Sequence, residues 1–414
     1  MRIWDESFLL SEQIQIAVTA LYALADQVRT SHRMFADQVV GFASPITPDK
    51  KGGVFTIPVA LAGTASALLN QHKERQRWGK GLLTPRHVLT LQAIIKGSGR
   101  ALTLGSYGGQ SGLILIGAGK PLPADFAPAI ILDASGRVRG TYKLWEENGG
   151  NLVRLDPAVN DYGAMRVLLW RVGCGKDALR DDTLNWPIFR AVADAIMTKP
   201  DEEWLIIGDK EEEGEHGFSA FTLIKKALPP TMGIKLHYVH WGRHMATNAY
   251  AHIRNVVVVG SHLYGNAGYD ALAAAALGGD ARLLESDNQR SLMMSEYQHN
   301  LLQGVMRSNA RNARNGICGE ATVYVVASPA VSAAAIRETF PGCILEIWKE
   351  TPPSLSAKAE RLLDTVVSYF LTAKSDRMKK GDAVTRAGIN RKSLGSRLVH
   401  IQNASAAASA TPDR

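Results

Sequence analysis

Apolar runs alternate with polar turns along this chain, and the spacing of the runs changes from region to region. Residues 8–30 carry apolar side chains at helical intervals and predict one amphipathic helix. Residues 57–72, rich in Ala and Leu, predict a second helix. Arg86-His87-Val88-Leu89-Thr90-Leu91 opens a third. From Gly97 to Gly119, glycines interrupt short apolar runs at 101–104 and 113–116, the pattern of short strands joined by tight turns. Ala129-Ile130-Ile131-Leu132-Asp133-Ala134-Ser135 reads as an apolar strand that ends in small polar residues.

Beyond residue 150 the rhythm is regular. Strands are predicted at 167–170, 204–209, 235–239, 256–259 and 323–327, with helices at 186–197, 221–228 and 297–314. Strands alternating with helices predict a parallel, doubly wound α/β layer. A further helix is predicted at 356–374, and the last dozen residues, dominated by Ala and Ser, predict a disordered end. The composition shifts place boundaries near 150, 348 and 401.

Composition narrows the class. Of 414 residues, 46% are hydrophobic and 21% charged, as in globular proteins with sizeable cores. No apolar stretch reaches the roughly 18–20 residues of a membrane helix, so no membrane partner is expected. Asp5 and Glu6 stand where a signal peptide needs cations and an apolar run, which points to a cytoplasmic protein. The three cysteines, Cys174, Cys318 and Cys343, are far apart and form no Cys-x-x-Cys pair, so neither a disulfide framework nor a zinc ribbon is expected. The net charge of +8 favours an anionic partner, most simply nucleic acid, with DNA preferred.

Four groups of residues carry candidate chemistry. In Ile3-Trp4-Asp5-Glu6, two acids follow apolar residues; after a buried strand, the first can hold Mg²⁺ and the second can orient or deprotonate water. Gln303, Arg307 and Arg311 fall at steps of four, which would put them on one helix face. Two guanidinium groups there suit a nucleotide γ-phosphate, or a phosphate backbone. The segment from His240 to Asn248 holds Arg243, Thr247 and Asn248 just before the Val256–Val259 run and suits contact with phosphate or nucleotide. His237, His240 and His244 in the same region invite a metal reading, but they fall on strand and loop and lack a Cys or Glu-x-x-His companion, so metal is not favoured there. Residues 375–400 hold seven cations against two acids, and 379–394 has the pattern of a helix-turn-helix, with Arg386, Arg391 and Lys392 facing phosphates; a plain basic helix is the alternative.

In order along the chain, Ile3-Trp4-Asp5-Glu6, Leu132-Asp133-Ala134-Ser135, the Trp241-Gly242-Arg243 loop with Thr247-Asn248, and Gln303…Arg307…Arg311 resemble motifs II, III, V and VI of superfamily-2 helicases and translocases. The closer resemblance is to divergent DEAD/DEAH-like helicases of phages and mobile elements. It spans most of residues 1–345, with its specificity in 237–260 and 297–327. It implies an incomplete first RecA-like domain over 1–150, starting at the Walker B motif, and a complete second one over 151–348. A helical tail over 349–401, with a candidate helix-turn-helix, and a disordered end over 402–414 would follow. The implied cofactors are ATP and Mg²⁺. By resemblance, Asp5 would bind Mg²⁺ and Glu6 would act on water. Asp133 and Ser135 would couple hydrolysis to movement, and Arg307 and Arg311 would be arginine fingers beside Gln303.

Two departures stand out. Arg311 follows Arg307 by four residues rather than three. The Walker A loop, Gly-x-x-x-x-Gly-Lys-Ser/Thr, is absent: Gly79-Lys80, Gly119-Lys120 and Gly175-Lys176 lack its first glycine and its hydroxyl residue. The expected function is therefore a nucleic-acid-dependent ATPase of helicase type that needs a Walker A-bearing segment from elsewhere. The alternative is a non-hydrolysing DNA-binding or scaffold subunit. An unrelated α/β enzyme using glycines 105–119 for a nucleotide is a weaker third reading, since no Gly-x-Gly-x-x-Gly follows a strand there.

Overall fold

Strands buried on both faces need apolar residues without interruption, and the chain supplies them in its second half. The computed structural model describes residues 2–4, 13–77, 83–107, 112–119, 129–147, 152–156, 160–180, 182–211, 218–229, 233–242, 247–277 and 284–349. In the first part, β1 (Arg2–Trp4) is followed by β2 (Gln13–Ala17), α1 (Val18–Val28), α2 (Arg33–Ala43), β3 (Val54–Thr56), α3 (Val59–Gln76) and α4 (Pro85–Lys96). Then come β4 (Ala101–Tyr107), β5 (Gly112–Ala118), β6 (Ala129–Ile131) and α5 (Gly140–Glu147). The second part runs β7 (Met165–Arg171), α6 (Lys176–Arg180), α7 (Asp182–Met197), β8 (Trp204–Gly208), α8 (Ala220–Ala227), β9 (Leu236–His240) and β10 (Asn255–Val259). It ends with α9 (Asn266–Ala276), α10 (Ser286–Val305), β11 (Ala321–Ala327), α11 (Ala333–Thr339) and β12 (Ile344–Ile347).

The second part is the doubly wound layer that the alternation predicts. Its six described strands are all parallel, in the order β12-β7-β11-β10-β8-β9. Every residue of β8 and β10 is buried. Alternate side chains serve two cores. Leu205, Ile207, Val256 and Val258 pack with Tyr297, Leu301 and Val305 of α10. Trp204, Ile206, Val257 and Val259 pack with Ile188, Phe189 and Val192 of α7 on the other face. At Gly304 an added Cβ would meet Ile207 Cδ1 at 3.3 Å, so the missing side chain lets α10 lie close on β8.

Among the described residues the first part holds two sheets. β1 and β6 pair in parallel, with Trp4 opposite Ile131. Between them in sequence lies an antiparallel sheet, β2-β5-β4-β3. Helices α1 to α4 bury its core with Leu21, Leu24, Phe35, Val39, Leu68 and Leu91. Ala267 and Ala271 of α9 pack on Ile114 and Ile116 of β5. Both parts belong to one unit, Met1–Trp348. No helix among the described residues is long and apolar enough to cross a membrane.

Two expected elements differ. The single helix expected over 8–30 begins at Val18, because Gln13–Ala17 alternates buried Ile14 and Ile16 with exposed Gln15 and pairs with β5 as a strand. The helix expected over 297–314 is α10, which starts at Ser286 and ends at Val305. Past that point tertiary hydrogen bonds replace helical ones: Asn309 N donates to Ile253 O at 2.8 Å, and Ser308 caps a 3₁₀ turn, Asn309–Arg311. The helices and basic tail expected beyond residue 349 lie outside the described residues.

Candidate functional site

A helix that buries polar residues needs partners for them. In α10, Glu296, His299, Asn300 and Gln303 are all buried, on a stripe beside the apolar Tyr297, Leu301, Leu302 and Val305. The partners come from the turn that follows β6. Asp133 folds this turn: its Oδ1 accepts from Ser135 N at 2.8 Å and from Ser135 Oγ at 2.5 Å. On its other side, Ser135 Oγ lies 2.5 Å from His299 Nδ1 and accepts from Gln303 Nε2 at 3.3 Å.

Further along the same turn, Arg139 is buried with its side chain inaccessible to water. Its Nη1 lies 3.6 Å from Asp133 Oδ2, and its Nε donates to Glu296 Oε1 at 3.3 Å. Thr141 Oγ1 donates to the same Glu296 oxygen at 3.3 Å. Burial pushes the Glu296 carboxyl above the ordinary glutamate value, while Arg139 opposes that rise. Burial also works against the Arg139 charge, but Glu296, Tyr142 and Asp133 together hold its pKa above the ordinary arginine value, so it stays a cation.

The network continues outward from Gln303. Arg307 Nη2 donates to Gln303 Oε1 at 2.7 Å, and Arg307 Nε to Gln303 O at 3.0 Å. Arg307 Nη1 and Arg311 Nη1 both donate to Thr247 O at 3.4 Å, and Arg311 also binds Asn248 Oδ1. A hydrogen-bonded series thus runs from the carboxyl end of β6, through Asp133, Ser135, Gln303 and Arg307, to the loop between β9 and β10.

Of the residues singled out in the sequence, Asp133, Ser135, Thr247, Asn248, Gln303, Arg307 and Arg311 are brought together here. The shared helix face expected for Gln303, Arg307 and Arg311 is not formed. The helix stops before Arg307, and Arg311 reaches the Thr247 loop from the 3₁₀ turn. Asp5, Glu6, Arg243, Arg386, Arg391 and Lys392 lie outside the described residues. Asp5 and Glu6 follow directly in sequence on β1, the strand paired with β6. Sequence reading missed Arg139, Glu296 and His299. The signal for Glu296 and His299 was the polar stripe 296, 299, 300, 303 running beside an apolar one on a single helix.

The two half-buried guanidinium groups suit an anionic oxygen such as a phosphate. Mg²⁺ is served less well by the described residues. Both Asp133 oxygens face protein cations or N–H and O–H groups, and Glu296 is enclosed with Arg139. Neither carboxylate is therefore open to a metal ion.

No family model matches this chain, and no curated protein matches it. Among solved structures, "XPD_APO" overlaps 84% of this chain and 76% of its own, at 12% identity and a TM-score of 0.44. "XPD_Helicase" overlaps 84% of this chain and 68% of its own, at 11% identity and a TM-score of 0.43. "Structure of S. tokodaii Xpd4" overlaps 83% and 75%, at 11% identity and a TM-score of 0.36. At these values no property of those proteins passes to this chain, whose α/β fold stands on its own sheets and helices.

Proposed function

We propose that this chain carries the later motifs of a helicase- or translocase-like, nucleic-acid-dependent ATPase and works with a Walker A-bearing segment, in the same polypeptide or another. The hydrogen-bonded series Asp133-Ser135-Gln303-Arg307 supports this reading most directly. It joins the end of a parallel strand in one part to two arginines on the other, which is what coupling phosphate chemistry to movement between two parts requires. Asp5 and Glu6, following the strand paired with β6, would supply the Mg²⁺ ligand and the water-directing acid. Arg307 and Arg311 would take up charge on a transferring phosphoryl group. Ile130 of β6 and Leu132 just beyond it are exposed, and β6 has one partner strand among the described residues. A further parallel strand from a Walker A-bearing segment would cover that edge.

The test is ATP turnover with and without single-stranded DNA, on the chain alone and together with a candidate Walker A-bearing partner. With the partner present, Arg307→Ala is expected to slow turnover about 10³-fold or more, as loss of an arginine finger does. Glu6→Gln is expected to abolish it. Turnover unchanged in Arg307→Ala, Arg311→Ala and Glu6→Gln alike would remove this mechanism. DNA binding that falls steeply with salt, without turnover in any mixture, would instead support the non-hydrolysing scaffold, a reading favoured by the missing Gly-x-x-x-x-Gly-Lys-Ser/Thr.

A further inference from the structure

Three side chains outside the Asp133–Arg311 series converge at the amino edge of the six-stranded sheet. Glu203 directly precedes β8, His237 is the second residue of β9, and His252 stands in the turn leading into β10. Pairing of β8 with β9 sets Leu205 opposite His237, so the sheet itself holds Glu203 near that histidine. Both imidazole Nε2 atoms meet one carboxylate oxygen: Glu203 Oε2 lies 2.8 Å from His237 and 3.0 Å from His252. The three donor atoms all lie within 4.8 Å of one another.

The surroundings orient this set. Lys235 Nζ holds the other carboxylate oxygen, Glu203 Oε1, at 3.3 Å, leaving Oε2 to the two rings. The Tyr250 ring packs beside His237 with centroids 5.6 Å apart. The side chains of His237, His252 and Glu203 are 34%, 60% and 28% exposed, so water reaches the cluster. One oxygen shared by two N–H groups is a sufficient hydrogen-bonding arrangement. It is also the geometry of a donor set drawn in around a cation's place. In a tetrahedral zinc site, bonds of about 2.0–2.2 Å put neighbouring donors about 3.4 Å apart. Each Nε2 needs to part from Glu203 Oε2 by only about half an ångström, with each ring carrying its proton on Nδ1 instead.

We propose that Glu203, His237 and His252 form a three-ligand site for a borderline divalent metal ion, Zn²⁺ by preference, with water in the fourth position. Two imidazoles with one carboxylate suit zinc or its neighbours, whereas magnesium and calcium prefer oxygen throughout. Bound there, the ion ties the 247–252 loop to β8 and β9. Ala251 N donates to Asn248 O at 3.2 Å and Asn312 Nδ2 to Ala251 O at 2.7 Å, so the same loop is joined to Asn248 and to the segment that bears Arg311. The bound ion would thereby stiffen the loop that offers Thr247 O to both arginines. Histidine spacing along the chain invites a metal reading at a different set, His237, His240 and His244, which the sequence does not favour. In the fold, His240 turns to the Trp241 carbonyl, 2.6 Å away, and His244 lies outside the described residues.

The full chain, free of any affinity tag and stripped with a chelator, is titrated with Zn²⁺ against a chromogenic zinc indicator, and separately with Co²⁺ by visible absorption. The expected result is one tight equivalent of zinc and the intense bands of tetrahedral cobalt. His252→Gln and His237→Gln should each weaken zinc at least about tenfold, and His240→Gln should leave it unchanged. His252 is the most exposed of the three, so its variant keeps the fold, which the melting temperature without metal checks. Absence of a tight equivalent, or zinc affinity that His252→Gln, His237→Gln and Glu203→Gln all leave unchanged, would overturn the assignment. The readout is independent of ATP turnover, so it stands or falls apart from the proposed function.

Discussion

Arg139 has no access to water, and its guanidinium faces two carboxylates, Asp133 and Glu296, in the turn after β6. A buried ion pair adds little over an apolar core, but removal of one partner leaves the others charged and desolvated. Arg139→Ala is therefore expected to lower unfolding free energy by about 3–5 kcal/mol, read from urea denaturation. Arg166 makes a two-point contact with Glu346 at the open surface, and Arg166→Ala should leave the urea midpoint where it is. Equal midpoints for the two variants would show that the buried cluster contributes nothing to stability. The residue identities were plain in the sequence. Their burial was not, since Asp, Glu and Arg are ordinarily surface residues and only the opposing turn makes their enclosure tolerable.

At the scale of elements, α10 and the turn that follows it decide where the arginines go. The sequence pattern continues with polar and small residues past Val305, and nothing local stops the helix there. It stops because Asn309 N finds Ile253 O and because Gly319 lets another segment approach. An added Cβ at Gly319 would collide with the Asn309 carbonyl. Gly319→Ala is expected to cost about 1–3 kcal/mol and to displace the Asn309–Arg311 turn, lowering ATP turnover in the reconstituted system as is also expected of Arg311→Ala. Wild-type melting behaviour in Gly319→Ala would mean the turn yields without cost. Strand boundaries in the second part were readable because buried parallel strands are continuous apolar runs, as 204–208 and 256–259 are. β2 was read as helix because its period-two alternation, only five residues long, runs straight into the helical spacing of α1.

For the molecule as a whole, charge and topology act together. The net charge of +8 and the seven cations of 375–400 predict binding to DNA through phosphates. Replacing Arg386, Arg391 and Lys392 together by Ala should reduce the slope of log affinity against log salt by about two to three units, measured by fluorescence anisotropy on a duplex. An unchanged slope would take those residues out of the interface. The sequence alone determined the alternation of strands and helices, hence the doubly wound layer, because a continuous apolar run and a 3.6-residue apolar period are local properties. It also supplied the order of polar motifs. Tertiary structure alone decided which of those motifs meet. Asp133 and Ser135 lie more than 160 residues from His299 and Gln303, and Glu203 lies 34 and 49 residues from His237 and His252. Such pairings follow from strand order and from where helices end against neighbours, and those depend on non-local packing that no window of sequence contains.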